Sequence, residues 1–220
     1  MSFSTAARNV KRAVSYSPVH LRLEGLPRTT TPADIKRTLN RVGIDNVSEV
    51  TLDYHRFTPS GSAYLTFVRP EYLINAQRKA SSLVHFGHHI KAKKTQQPGQ
   101  PPMRNRGPEG RAQALERKLV TGTGSSGGIK ETGRSVIISG LPAKIDVGDI
   151  RSFLQGYKFV GGEGEIAKLA RYTENAVSSR ILVRLHSQSE AYRLVRAIHM
   201  THYHAAVLGS KYRISAAIVY

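Results

Sequence analysis

Hydrophobic and polar residues alternate in several short stretches of the chain, and stretches with a helical period separate them. In residues 20–94, Leu21 and Leu23 alternate with Arg22 and Glu24, which predicts a half-buried strand. The stretches that follow complete the order strand, helix, strand, strand, helix, strand. This order predicts a small α+β domain.

Local signals for helix ends support this interpretation. Thr31 is a favourable N-cap residue, and Pro32 follows it at the first helical position. Ile35 and Leu39 recur at helical spacing and predict the buried stripe of that helix. Gly43 ends the pattern, as glycine commonly does after the last helical turn.

The same order of elements recurs in residues 134–220, which predicts a second α+β domain. Residues 95–133 lie between the two and are rich in Gln, Pro, Gly and Ser. Such a composition predicts a flexible linker, and its basic residues suit contact with phosphate. Within it, residues 111–120 have apolar positions on one face and predict a short helix.

The charge of the chain indicates a polyanionic partner. Lys and Arg number 33 against 15 Asp and Glu, a net charge of +18 over 220 residues, and nucleic acid is the commonest such partner. The absence of cysteine excludes disulfides, thiolate metal sites and thiol catalysis. No stretch approaches the length of a membrane-spanning helix, and no catalytic constellation is evident, so we expect neither an enzyme nor a cofactor or metal.

The N-terminal extension, residues 1–19, is basic and contains no acidic residue. Arg8, Lys11 and Arg12 stand among serines and small residues, a composition typical of a mitochondrial transit peptide. The alternative is a basic tail that touches RNA. The predicted location is the mitochondrial matrix, with the nucleus as the alternative.

Two short motifs in the first predicted domain resemble those of the RNA recognition motif family. The hexamer "LRLEGL" covers residues 21–26, and the octamer "SGSAYLTF" covers residues 60–67. This resemblance implies two ferredoxin-like βαββαβ domains, each a four-stranded antiparallel sheet with two helices behind it. The family's three base-stacking positions, which usually hold aromatic residues, correspond here to Arg22, Ser62 and Tyr64.

A contact set for RNA follows from these positions and from the basic residues near them. Lys91 and Lys93 alternate onto the same predicted face as Arg22, whose guanidinium can also stack on bases. Lys94 adds charge to the last strand, and the linker contributes further arginines. The predicted RNA-binding residues of this part of the chain are Arg22, Ser62, Tyr64, Lys91, Lys93, Lys94, Arg104 and Arg106.

The second domain carries a degenerate form of the pattern, "VIISGL" at 136–141 and "SSRILVRL" at 178–185. The three base-stacking positions hold Ile137, Arg180 and Leu182, so no aromatic side chain remains for stacking. An apolar face of this kind suits either a covering segment or a protein partner. Arg180 and Arg184 could still contact phosphates without reading sequence.

These features predict a non-enzymatic RNA-binding protein of mitochondrial RNA metabolism or translation. Its partner is expected to be single-stranded or ribosomal RNA, bound largely through phosphates. One alternative is a structural subunit of a ribonucleoprotein, such as the mitochondrial ribosome. A second alternative is a nuclear RNA-processing or splicing factor.

Overall fold

The structure is a computed structural model that describes residues 19–80, 83–95, 122–129, 131–161, 165–170, 173 and 175–220. The predictions for the N-terminal extension and for a helix at 111–120 lie outside these residues. So do the predicted linker contacts Arg104 and Arg106.

The first unit, residues 20–94, folds as the alternation predicts. Its strands form one antiparallel sheet in the order β6-β1-β3-β2, the strand order of a ferredoxin-like domain. Its elements are β1 Val19–Glu24, α1 Pro32–Arg41, β2 Val47–His55, β3 Thr58–Phe67, α2 Pro70–Ala80, β4 Val84–His85, β5 His88–His89 and β6 Lys91–Thr95. The short strands β4 and β5 form a separate hairpin beside the main sheet.

The first helix begins where the capping signals predict. The Thr31 side chain accepts a hydrogen bond from the backbone N–H of Asp34, and the Asp34 carboxylate accepts one from the backbone N–H of Thr31. The hydrogen bond from the Thr31 hydroxyl lowers the pKa of Asp34 below its ordinary value. Ile35 and Leu39 are buried, so the stripe on this helix faces the sheet.

The second unit, residues 134–220, repeats the topology with a shorter first helix and shorter second and third strands. Its sheet has the order β11-β8-β10-β9 and is antiparallel throughout, so the predicted fold class is confirmed for both units. Its elements are β8 Ser135–Pro142, α3 Val147–Phe153, β9 Ile166–Lys168, β10 Ser178–Arg184, α4 Gln188–Ile198, α5 Ala205–Leu208 and β11 Ser215–Val219.

Each sheet has a helix-covered face and an opposite face, which we call the open face. On the helix-covered face of the first sheet, Leu21 and Leu65 join Ile35 and Leu73 in one apolar cluster. The second unit has its own helix-covered core, formed by Val136, Ile138, Ile150, Ile181, Val183 and Leu194. The open faces are therefore the surfaces on which the two units differ.

The C-terminal end of the predicted linker is ordered and extends the first sheet. Strand β7, Gly124–Ser125, pairs antiparallel with β2 opposite Asp53 and Tyr54. A 3₁₀ turn over Ser126–Gly128 follows it. The sequence predicts a flexible segment here because glycine and serine dominate it, but backbone pairing with a sheet edge needs no particular side chain.

Candidate nucleic-acid interface

The strand register brings five of the predicted RNA-binding residues onto the open face of the first sheet. Arg22 lies opposite Tyr64 on β3 and opposite Lys93 on β6. In the next row, the partner of both Ser62 and Lys91 is Glu24. Residues directly opposite one another on neighbouring strands share a face, so these side chains form one continuous surface. We call this surface the first open face.

Lys94 does not belong to this surface, and its contact with RNA stays a prediction. Lys94 lies opposite Leu21, whose side chain is fully buried on the helix-covered face. Successive residues of a strand point to opposite faces, so Lys93 and Lys94 cannot both join the first open face. The prediction followed the charge of the strand and ignored this alternation.

The carboxylate of Glu24 forms ion pairs with two cations of the first open face. The Glu24 carboxylate lies 2.8 Å from the Lys93 ammonium and 3.4 Å from Nε of Arg22. The hydrogen bond from Lys93 lowers the pKa of Glu24 below its ordinary value, and the nearby positive charges act in the same direction. Arg22 also donates a hydrogen bond of 3.3 Å to the Ser62 hydroxyl. The arrangement leaves a net positive surface whose charges are held in place.

Tyr64 is not presented to solvent as a stacking platform. Its side chain is on the open face, but only 4% of the residue is exposed. The Arg22 guanidinium lies over its ring at 5.8 Å from the centroid, within the range of a cation–π contact. A base could stack on this ring only after the groups that bury it had moved.

Sequence reasoning missed His20, which adds a row to the first open face. His20 lies opposite Thr66, and its Nδ1 is 3.0 Å from the Thr66 hydroxyl oxygen. Burial lowers the pKa of His20 below its ordinary value, so the ring is neutral at neutral pH. Leu21 follows His20 in the strand and faces the helices, so strand alternation could have placed His20 on the open face.

The open face of the second sheet is covered by the chain itself. Its apolar residues are buried and belong to the same apolar cluster as Tyr54 and Phe57 of the first unit. Of the two occupants that the sequence left open, the structure therefore supports a covering segment of the chain. The apolar residues of this face are Ile137, Leu169, Leu182 and Val219.

Arg180 takes part in this contact between the units, and its predicted contact with phosphate stays a prediction. The residue is 8% exposed, and its guanidinium donates hydrogen bonds to the carbonyl oxygens of Arg56 at 3.0 Å and Ala170 at 2.9 Å. Arg184 lies on the same face and is partly buried opposite Ser135. The Arg180 guanidinium is therefore held by carbonyl groups of both units.

The tip of the β2–β3 hairpin forms the first unit's side of this contact. Arg56 and Phe57 form its two-residue turn, and both have positive φ, at 50° and 64°. Bulky residues rarely adopt this conformation. The Phe57 N–H donates to the Gly122 carbonyl at 2.6 Å, and its ring fills a space where a Cβ on Gly122 would overlap it. The clasp, defined as Arg56, Phe57, Gly122 and Arg180, therefore compensates the strain of the turn.

A further hydrogen bond joins the units near the end of the chain. The backbone N–H of Tyr220 donates to the hydroxyl oxygen of Tyr54 at 3.0 Å. Burial raises the pKa of Tyr54 above its ordinary value, so the hydroxyl stays protonated. The two units are thus linked by polar contacts as well as by the apolar cluster.

The described residues hold no group of three or more His, Asp or Glu side chains placed to bind a metal ion. In the part of the chain that the structure describes, no helix has the length and apolar character needed to cross a membrane. His85 is buried, and its ring nitrogens lie within hydrogen-bond distance of the Thr30 and Thr38 hydroxyls.

No family model matches the chain, and no curated protein matches it. Among solved structures, it is similar to RNA recognition domains 1 and 2 of Sex-lethal from Drosophila melanogaster, with 13% identity, 91% of this chain and 99% of that chain covered, and a TM-score of 0.29. It is also similar to the three N-terminal RNA-binding domains of the yeast splicing factor Prp24, with 16% identity, coverage of 93% and 66%, and a TM-score of 0.28. A third similarity is to the second RNA recognition motif of RNA-binding protein 19, with 14% identity, coverage of 38% and 90%, and a TM-score of 0.33.

Similarities of this size carry no argument about ligand or process. The fold rests on strand order, register and helix placement within each unit. By that topology, each of the two units has a ferredoxin-like βαββαβ fold.

Proposed function

We propose that this chain is an RNA-binding protein that holds RNA mainly through phosphate contacts. The observation that carries the proposal is the register that places Arg22, Lys91 and Lys93 together on the first open face. The open face of the second unit is buried against residues of the first unit, so we do not propose it as a second RNA-binding surface. Phosphate contacts position a nucleic acid without selecting its sequence.

The distribution of charge supports the same proposal. The chain carries a net charge of +18, and residues 72–108 contain no acidic residue. This acid-free stretch includes strand β6, which forms one edge of the first open face. A basic edge strand next to this face attracts a polyanion over distances of up to about a Debye length.

We place this activity in mitochondrial RNA metabolism or translation. The acid-free N-terminal extension, with Arg8, Lys11 and Arg12, supports that location by its composition. The test is to fuse residues 1–19 to a fluorescent protein and follow it in cells. Import into mitochondria would support the proposal, and a diffuse or nuclear signal would overturn the mitochondrial location while leaving RNA binding intact.

A structural subunit of a ribonucleoprotein, such as the mitochondrial ribosome, is the second candidate. It is favoured by the burial of Tyr64, which is 4% exposed, and by the burial of the open face of the second unit. A protein fixed among RNA helices needs charge and shape more than it needs a stacking platform. Crosslinking in cells with the RNA mapped separates the two: one ribosomal RNA site indicates the subunit, and many messages indicate a regulatory binder.

The RNA-binding proposal itself is tested by the salt dependence of affinity. The variant Arg22→Ala, Lys91→Ala, Lys93→Ala removes three cations of the first open face. Each lost phosphate contact should reduce the slope of log K against log salt concentration by about 0.7 for a single strand, or about 2 in all. The matched control is Arg41→Ala, Arg69→Ala, Arg196→Ala, three exposed arginines away from this face.

The slope should fall in the first variant and remain near that of the original protein in the control. Equal losses in both would mean that binding follows net charge alone and that the first open face is not the interface. Thermal unfolding of both variants, followed by circular dichroism, shows whether the fold is retained.

A further inference from the structure

The hairpin formed by β4 and β5 has an unusual residue at its tip. His85 pairs with His88, so Phe86 and Gly87 form a two-residue turn, with φ of 47° and 79°. Turns with two left-handed residues favour Asn-Gly or Asp-Gly, because a bulky side chain is strained there. Phenylalanine in the first place is therefore a local cost that the turn itself does not explain.

The first unit contains a second turn of the same kind, which shows how such a cost can be compensated. At the β2–β3 tip, Phe57 is 8% exposed, because its ring is packed against Gly122 and Gly127. Phe86 is 68% exposed. The strain of the β2–β3 turn is thus balanced by the contact of Phe57 with the two glycines. The β4–β5 turn instead exposes the ring of Phe86 to solvent.

The ring of Phe86 contacts the buried side chain of His85. His85 is 2% exposed, and its ring centroid lies 4.4 Å from that of Phe86. The two nitrogens of His85 are 3.3 Å from the Thr30 hydroxyl oxygen and 2.7 Å from that of Thr38. These bonds hold the His85 ring against the first helix and its preceding loop. The side chain that Phe86 packs against is therefore fixed in position. A preorganised ring loses little conformational freedom when a ligand stacks on it.

The chain around Phe86 has the charge that suits a phosphate-bearing ligand. Residues 84–95 contain three lysines, three histidines and no acidic residue. His88 and His89 are exposed, and the chain continues from them to Lys91 and Lys93 on the first open face. Proteins hold single-stranded nucleic acid by combining aromatic rings with basic residues that contact the backbone, and residues 84–95 carry both.

We propose that Phe86 stacks on a base of single-stranded RNA whose backbone runs along Lys91 and Lys93. The inference rests on the proposed function and adds to it a stacking residue outside the strand positions of the fold. A protein ligand for the same hairpin is the competing possibility, which the experiment below distinguishes.

The decisive variant is Phe86→Asn. Asparagine tolerates the left-handed conformation better than phenylalanine, so the hairpin should be retained while the ring is lost. Phe86→Trp keeps a stacking ring, and Val84→Ala, at a residue 47% exposed on the same hairpin, is the matched control for lost apolar surface. The probes are a uridine oligomer and an abasic oligomer with the same number of phosphates.

Stacking of one base predicts that Phe86→Asn weakens binding of the uridine oligomer by about 5- to 100-fold. Binding of the abasic oligomer should not change, and Phe86→Trp should bind as the original protein does. An original protein that binds neither probe would overturn the proposed function and this inference with it. An original protein that binds, with Phe86→Asn binding the uridine oligomer equally well, would overturn only this inference and favour a protein ligand for the hairpin.

Discussion

The guanidinium of Arg180 donates a hydrogen bond of 3.0 Å to the backbone carbonyl of Arg56, a residue 124 positions away in the chain. This bond joins β10 of the second unit to the hairpin tip of the first. Arg180 lies on the face of the second sheet that is opposite its helices, and there it joins the two units. The second unit thereby packs against the hairpin tip of the first.

Replacing Arg180 with alanine should destabilise the protein without changing its RNA contacts. The carbonyl oxygens of Arg56 and Ala170 would each lose a donor; both residues are exposed, so water can replace it and each lost hydrogen bond should cost about 0.5–1.5 kcal/mol. Urea unfolding measures the loss. The control Arg196→Ala, at an exposed position of α4, should change the free energy of unfolding by no more than about 0.5 kcal/mol. A reduced salt slope of RNA binding in Arg180→Ala would instead indicate that this arginine reaches phosphate.

Gly122 should tolerate alanine much less well than Gly128. Both glycines have positive φ, at 69° and 73°, so the backbone cost of alanine is similar at the two positions. A Cβ on Gly122 would overlap the Phe57 ring, whereas one on Gly128 would meet no atom within 4 Å. Overpacking costs about 1–3 kcal/mol, so Gly122→Ala should be less stable than Gly128→Ala by that amount in urea unfolding. Equal stabilities would mean that Phe57 moves freely and that the clasp is not tightly packed.

Strand alternation made much of the first open face predictable. Because side chains two apart share a face, the positions of Arg22, Lys91 and Lys93 follow from their parity relative to buried leucines. The same rule excludes Lys94, whose partner Leu21 lies on the helix-covered face. The period of the strand was a better guide here than the charge of the residue.

What lies above a sheet face depends on residues distant in sequence, and no local pattern reports it. Tyr64 has the right position for stacking, yet its burial could not be read from the octamer. Likewise, the apolar character of Ile137 and Leu182 predicted an occupant, but the alternation of their strands did not identify Phe57 as part of it. Contacts of this kind depend on tertiary packing.

The first unit should lose stability as the pH falls below neutrality, in part because of His85. Burial lowers the pKa of His85 below its ordinary value of 6.5; nearby Asp34 opposes this effect and His88 adds to it. The unfolded chain therefore binds the proton first, so stability is complete above pH 6.5 and declines as the pH falls through the folded pKa. Urea unfolding at a series of pH values should show a weaker decline in His85→Asn than in the original protein.

His89→Asn is the matched control for this pH dependence, since His89 is exposed on the same hairpin. It should retain the full decline. His20, whose pKa burial also lowers, would supply the part that remains in His85→Asn. An unchanged decline in His85→Asn would show that His85 accepts a proton in the folded state as readily as in the unfolded one.

Removing the carboxylate of Glu24 should strengthen RNA binding. Glu24 is the acidic partner of both Lys93 and Arg22, so part of their charge is neutralised before RNA arrives. Exposed ion pairs of this kind stabilise a protein by no more than about 1 kcal/mol, so Glu24→Gln should unfold nearly as the original protein does. If the two cations contact phosphate, affinity for single-stranded RNA should rise by about two- to fivefold at low salt, and the gain should shrink as screening increases.

The variant Glu71→Gln removes one exposed acid from α2, away from the first open face, and should change affinity little. Weaker binding by Glu24→Gln would mean that the carboxylate is needed to hold Arg22 and Lys93 in position, so that geometry and not charge limits the affinity of this face.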